Sequence, residues 1–321
     1  MSTTTVDAEL LAEHHVRVGS DRPWQRRLRL LQALWREEQG LPIGVHPRGG
    51  ADARPLGSRI GLPHAERHLG NFLTPTIREV VRAELVAEAV SEGEALAVPQ
   101  LYTDLLASQP LAFNLFGELK ADLDTASAWT RHLWPDRVQQ VTRIEFEHAP
   151  QLAARQRLED HSAFDVYLEH TVPGGRAGFI GFTVTYHENL EVAPVRNQPQ
   201  AEEVARASGL FVDGALPALR EPPLQQVWFD HLLALSVLQS DPDRWSGNGL
   251  LVFLHPVANA ASYRVVDAYR RRLLGSRTFQ RTSLEEVVAA LQLTSGAPWV
   301  DAFHHRYLDY RRADAAGGSG T

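Results

Sequence analysis

Residues Phe164 to Tyr186 read FDVYLEHTVPGGRAGFIGFTVTY, two alternating runs around a Pro173-Gly174-Gly175 break. Side chains on a strand alternate with period two. The first run therefore puts Phe164, Val166 and Leu168 on one face and Asp165, Tyr167 and Glu169 on the other. The second gives an apolar face of Ile180, Phe182, Val184 and Tyr186, opposed by Gly181, Thr183, Thr185 and His187. A break this short, rich in Pro and Gly, predicts a hairpin. Paired in that way, the two strands present Asp165 beside Thr183 and Thr185.

Outward from the hairpin, Val141 to Glu147 alternates as a further strand. Gly249 to His255 is a near-continuous apolar run closed by Pro256, the pattern of a strand buried on both faces. Helical spacing is read over Trp24 to Gln39, from Pro75 behind an N-capping Thr74, over Leu101 to Leu119, and over Asp124 to Leu133 up to Pro135. It returns over Leu224 to Leu238 and Tyr263 to Leu274, and Ser283 with Glu286 forms a capping box before Val287, Val288 and Leu291. Residues 42–62, rich in Gly, Pro and Arg, read as a long loop. The order helix, three strands, helix, strand, helix predicts an α/β fold with a mixed central sheet flanked by helices. The expected organisation is an N-terminal helical extension over 1–96, packed on a core over 97–313, and a flexible tail over 314–321.

Composition narrows the function class. At 44% hydrophobic and 22% charged residues the chain can bury a core, which excludes intrinsic disorder as the default. Its apolar runs fall far short of the roughly 20 residues that span a bilayer, so no transmembrane helix is expected. Met1 to Leu10 carries Asp7 and Glu9 and has no basic-then-apolar signal pattern, so a cytoplasmic protein is expected, and the absence of cysteine fits that expectation. The net charge of −7 gives no global attraction to nucleic acid, although an acidic protein can still carry a local arginine-lined groove. Lys120 is the only lysine.

The chain resembles the PD-(D/E)XK nuclease superfamily, and within it a group of bacterial restriction-endonuclease-like proteins typified by the PGN_0703 proteins. The resemblance is carried by Ser108 to Gly117 (SQPLAFNLFG), Ala163-Phe164-Asp165 and Gly178 to Leu190 (GFIGFTVTYHENL). It continues through Trp228 to Leu235, Leu250 to Pro256 and Arg306 to Asp309 (RYLD), and so runs from about Trp24 to Arg311.

That resemblance implies a restriction-endonuclease-like fold, a DNA partner, Mg or Mn as cofactor, and three catalytic positions: a metal-binding aspartate at Asp165, a second carboxylate at 183 and a lysine at 185. Two carboxylates hold a hard divalent cation that activates water, and the lysine stabilises developing negative charge. This chain has Thr183 and Thr185 instead, a degenerate motif. A neutral hydroxyl at 183 leaves Asp165 with waters, carbonyls and a neighbour such as Glu145 or Glu147. Arg143 is a poor substitute for the lysine, because arginine stays protonated. Glu188 lies five residues after Thr183 and on a regular strand faces the other way unless a bulge intervenes.

Three readings follow: a nuclease descendant that binds DNA but is catalytically impaired, an active endonuclease with an atypical site around Asp165, Glu118 and Lys120, and an interaction module that keeps only the fold. Restriction-type nucleases often dimerise to cut both strands, so a homodimer is an expectation by analogy of fold alone. The adjacent pairs His14-His15 and His304-His305 diverge on a helix and do not suit zinc. No phosphate-binding glycine loop or Ser/His/Asp arrangement is present.

Overall fold

The computed structural model describes residues 6–47, 53–91, 95–149, 163–192 and 200–318. Contacts divide the chain into two compact units, one from the residues up to Gly117 together with those from Ala297, the other from Glu118–Gly296. The expected extension, 1–96, is thus one part of the first unit. Among the described residues no helix is long and apolar enough to cross a membrane.

In the first unit, helix Pro23–Glu38 buries Leu28, Leu30, Leu31 and Trp35. The stretch expected as a long loop instead holds a two-stranded antiparallel sheet, β1 (Ile43–Val45) with β2 (Pro55–Ile60), followed by helix Leu62–His68. Its glycines are demanded by close backbone approach. A Cβ on Gly57 would stand 2.0 Å from the His14 carbonyl oxygen, and one on Gly44 2.6 Å from that of Ile60. The helix expected over Leu101 to Leu119 is broken into Gln100–Thr103 and Ser108–Ala121. The break is made by Asp104, which accepts from Leu106 N–H at 3.0 Å and from Arg59 at 2.7 Å. The residues expected as a tail begin inside helix Arg311–Gly318, and 319–321 lie outside the described residues.

Two blocks that carried the resemblance are buried in this unit. Asn114 donates to the carbonyls of Asn71 (3.0 Å) and Pro110 (2.9 Å) and meets Tyr307 Oη at 2.9 Å. Fully buried Arg306 donates to Asn71 O at 2.6 Å and Gln32 Oε1 at 3.1 Å, with its guanidinium over the Trp35 ring. A buried charge is tolerated only when its donors are satisfied, and these are.

The second unit is a five-stranded sheet in the order β3 (Gln140–His148), β4 (Phe164–Thr171), β5 (Ala177–Val184), β6 (Gly249–His255), β7 (Phe279–Ser283). The first three strands pair antiparallel and the last two join in parallel, so the sheet is mixed as expected. On one face Phe182 stacks on Trp129 and meets Trp134 edge-on, and the Trp129 indole donates to Val287 O at 3.0 Å. Helices Leu123–Leu133 and Leu284–Thr294 cover that face. The other face packs Tyr167, Phe179, Leu251 and Phe253 against helices Gln200–Ser208, Gln225–Ser240 and Ala260–Arg270. Phe164 departs from the alternation expected of it: its ring lies near Tyr167 and Phe179, over Gly181, where a Cβ would stand 2.4 Å from Phe164 Cδ1. The glycine leaves a hollow on that face, and the phenyl ring fills it.

Candidate functional site

The ladder between β4 and β5 pairs Val166 with Phe182, and one step further the same register sets Asp165 opposite Thr183. There the ladder ends, and the Val184 N–H donates to Asp165 Oδ2 at 2.5 Å. The carboxylate therefore occupies the seam between the two strands. Burial pushes it up to about 7, against the hydrogen bond from Val184 and with the negative charge of Glu188 adding to the rise.

Thr183 is half-buried. Thr185, on the same face by alternation, donates its N–H to Leu254 O at 2.9 Å, while its Oγ1 is buried with no hydrogen-bond partner. The parallel register of Val184 with Leu254 sets Thr185 level with His255 on β6. His255 lies 2.8 Å through Nδ1 from Pro256 O, and a carbonyl can only accept, so Nδ1 carries the proton and Nε2 keeps its lone pair. That Nε2 is also buried without a partner, and burial holds the imidazole below its ordinary pKa. Ser262 Oγ and Arg281 Nη1 are two further buried atoms without partners in this unit.

Glu188 is not carried to the far side. β5 stops at Val184, the chain bends through residues 186 and 187, and Glu188 Oε2 accepts from Tyr186 N–H at 2.6 Å, close enough to Asp165 for the two charges to interact. Regular alternation misses this, because it assumes a strand that continues. His255 was legible only as the end of an apolar run, and the polar residue before Pro256 was the available signal.

The other candidates are engaged elsewhere. Lys120 Nζ stands 5.6 Å from the Phe146 ring centre, on the face of Val166 and Phe182, opposite to that of Thr183 and Thr185. Glu118 lies on the same helix, Ser108–Ala121. Glu145 is ion-paired with His148 and Arg143, and Arg143 also pairs with Glu169 at 2.8 Å. Glu147, next to this network, has a positive φ of 45°.

These side chains do not fit a divalent-cation centre. Among the described residues no group of three or more His, Cys, Asp or Glu is placed to hold a metal ion. Asp165 has one oxygen committed to a backbone N–H and a carboxyl that burial favours in the neutral form. A hydroxyl stands where a second anionic ligand would be needed.

A family model for the PD-(D/E)XK nuclease superfamily matches residues 19–309. No curated protein and no solved structure matches the chain.

Proposed function

This chain belongs to the PD-(D/E)XK nuclease superfamily, and from that premise we propose that it engages duplex DNA while being catalytically impaired at the centre built on Asp165, Thr183 and Thr185. The observation that carries this reading is the strand register. It sets a neutral hydroxyl, Thr183, directly across from Asp165, and puts at 185 a short side chain whose buried Oγ1 has no hydrogen-bond partner. Members of the superfamily use Mg or Mn between two carboxylates and a lysine nearby. Threonine at 183 removes an anionic ligand, and threonine at 185 removes the cation that offsets negative charge developing on the scissile phosphate. The proximity of Glu188 to Asp165 favours a second reading, an active enzyme with a displaced carboxylate, but it leaves the lysine unreplaced.

Fluorescence anisotropy on labelled duplexes, with cleavage followed on gels in magnesium or manganese, separates the readings. The proposal expects binding that weakens as salt rises, because phosphate contacts release counterions, and no products. Cutting by the unmodified chain, whether or not it persists in Asp165→Ala, or no binding to any duplex, would overturn it.

A further inference from the structure

We propose that a cavity of about 270 Å³ lined by Arg137, Arg176 and Arg277, at the end of β5 and β6 away from Asp165, binds a phosphate-type dianion. It lies in the second unit at the start of the parallel strands, where Phe179, Ile180, Asn248 and Leu250 form part of its wall. Thr185 and His255 lie at the opposite ends of those strands. The site is separate from the one discussed above and does not rest on the nuclease reading.

Three elements deliver the arginines. Arg137 follows helix Leu123–Leu133, Arg277 precedes β7, and Arg176 stands at the end of the β4–β5 turn. That turn needs Gly174 and Gly175 at φ 98° and 84°, and the Val172 N–H bond to Arg176 O at 2.8 Å closes it. Arg137 is further fixed by donating through Nη2 to the Arg277 carbonyl.

Charge is unbalanced here. Asp136 is the one acidic residue in the lining, so three arginines against one aspartate leave two positive charges. Among the described residues none of the three guanidinium groups is ion-paired with a carboxylate. His170, in the wall and 3% exposed, is held below its ordinary pKa by burial and adds no full charge. Burial also lowers the pKa of Arg137, and the neighbouring Arg277 lowers it further. Gathering like charges around one recess is unfavourable in the empty protein and is relieved by an anion of matching charge. The volume is below the roughly 300–1,000 Å³ of pockets for drug-sized ligands, which selects a small anion such as a single phosphate group. That group can come from free phosphate or from the end of a nucleic-acid strand.

The test uses the full chain and the double variant Arg176→Gln, Arg277→Gln. Both side chains are exposed, so the variant keeps its fold, which circular dichroism verifies. Inorganic phosphate and pyrophosphate are titrated at constant ionic strength, with calorimetry and the thermal midpoint as readouts. Saturable binding is expected, at least tenfold weaker in the variant. A parallel titration compares 5′-phosphorylated with 5′-hydroxyl oligonucleotides. A preference of at least tenfold for the phosphorylated strand, lost in the variant, identifies a strand end as the source, whereas equal binding of both strands with phosphate binding retained identifies the free anion. Absence of a saturable response to every phosphate probe, or an unchanged response in the variant, would overturn the proposal.

Discussion

Asp165 carries a carboxyl that the fold holds at about 7, chiefly through burial, whereas an unfolded aspartate titrates near 3.9. A raised folded pKa gives a stability contribution fully present below about pH 4 and lost as pH rises through 7. Asparagine keeps the acceptor for Val184 N–H without the charge. Asp165→Asn should therefore stabilise the chain at pH 8 by on the order of 2 kcal/mol, allowing for partial exposure, and by little at pH 4. Urea melts at the two pH values check this, and a less stable variant at pH 8 would contradict it. His231 runs in the opposite sense. It is fully buried between Tyr269 Oη (2.7 Å) and Thr278 Oγ1 (3.0 Å), and burial pushes it down to about 3. A depressed histidine supports the fold above its unfolded pKa of about 6.5 and loses that support as pH falls toward 3. The stability advantage of the parent over His231→Gln should shrink by roughly 3 kcal/mol between pH 7 and pH 4, read from paired denaturation curves.

At the scale of elements, what the sequence could express was periodicity. Alternation located β3, β4 and β5, and the apolar run located β6. Alternation failed where an element stops or opens. Phe164 turns to the hollow over Gly181, and Glu188 follows a strand that ends at Val184. β7, Phe279–Ser283, has too few alternating apolar residues to announce itself and is defined by its parallel pairing with β6. The β1–β2 hairpin was hidden because glycines read as loop residues are there to let backbones touch. Capping chemistry, being local, was legible. Ser283 Oγ accepts from Glu286 N–H at 3.1 Å, and Glu286 Oε2 accepts from Ser283 N–H at 2.8 Å. Ser283→Ala removes half of that box and should cost about 1 kcal/mol, seen as a lower urea midpoint at unchanged slope; no shift would mean that the cap adds nothing.

Over the whole molecule, the blocks that made the family recognisable do different jobs. Asn114, Arg306 and Tyr307 knit the first unit through buried hydrogen bonds, while Asp165, Thr183 and Thr185 lie in the second. Family membership is therefore legible in residues that stabilise the fold, independently of whether the chemistry survives. A net charge of −7 likewise reports nothing about the local gathering of arginines at the far end of β5 and β6. Both are properties of three-dimensional placement, which composition averages away. The most direct test of the impaired centre is restoration. The double variant Thr183→Glu, Thr185→Lys, incubated with duplex DNA and magnesium or manganese, should cut where the unmodified chain does not, and should lose that activity when Asp165→Ala is added. A double variant that folds, binds DNA and still yields no products, or cutting that survives Asp165→Ala, would contradict the assignment of Asp165, Thr183 and Thr185 as the disabled nuclease centre.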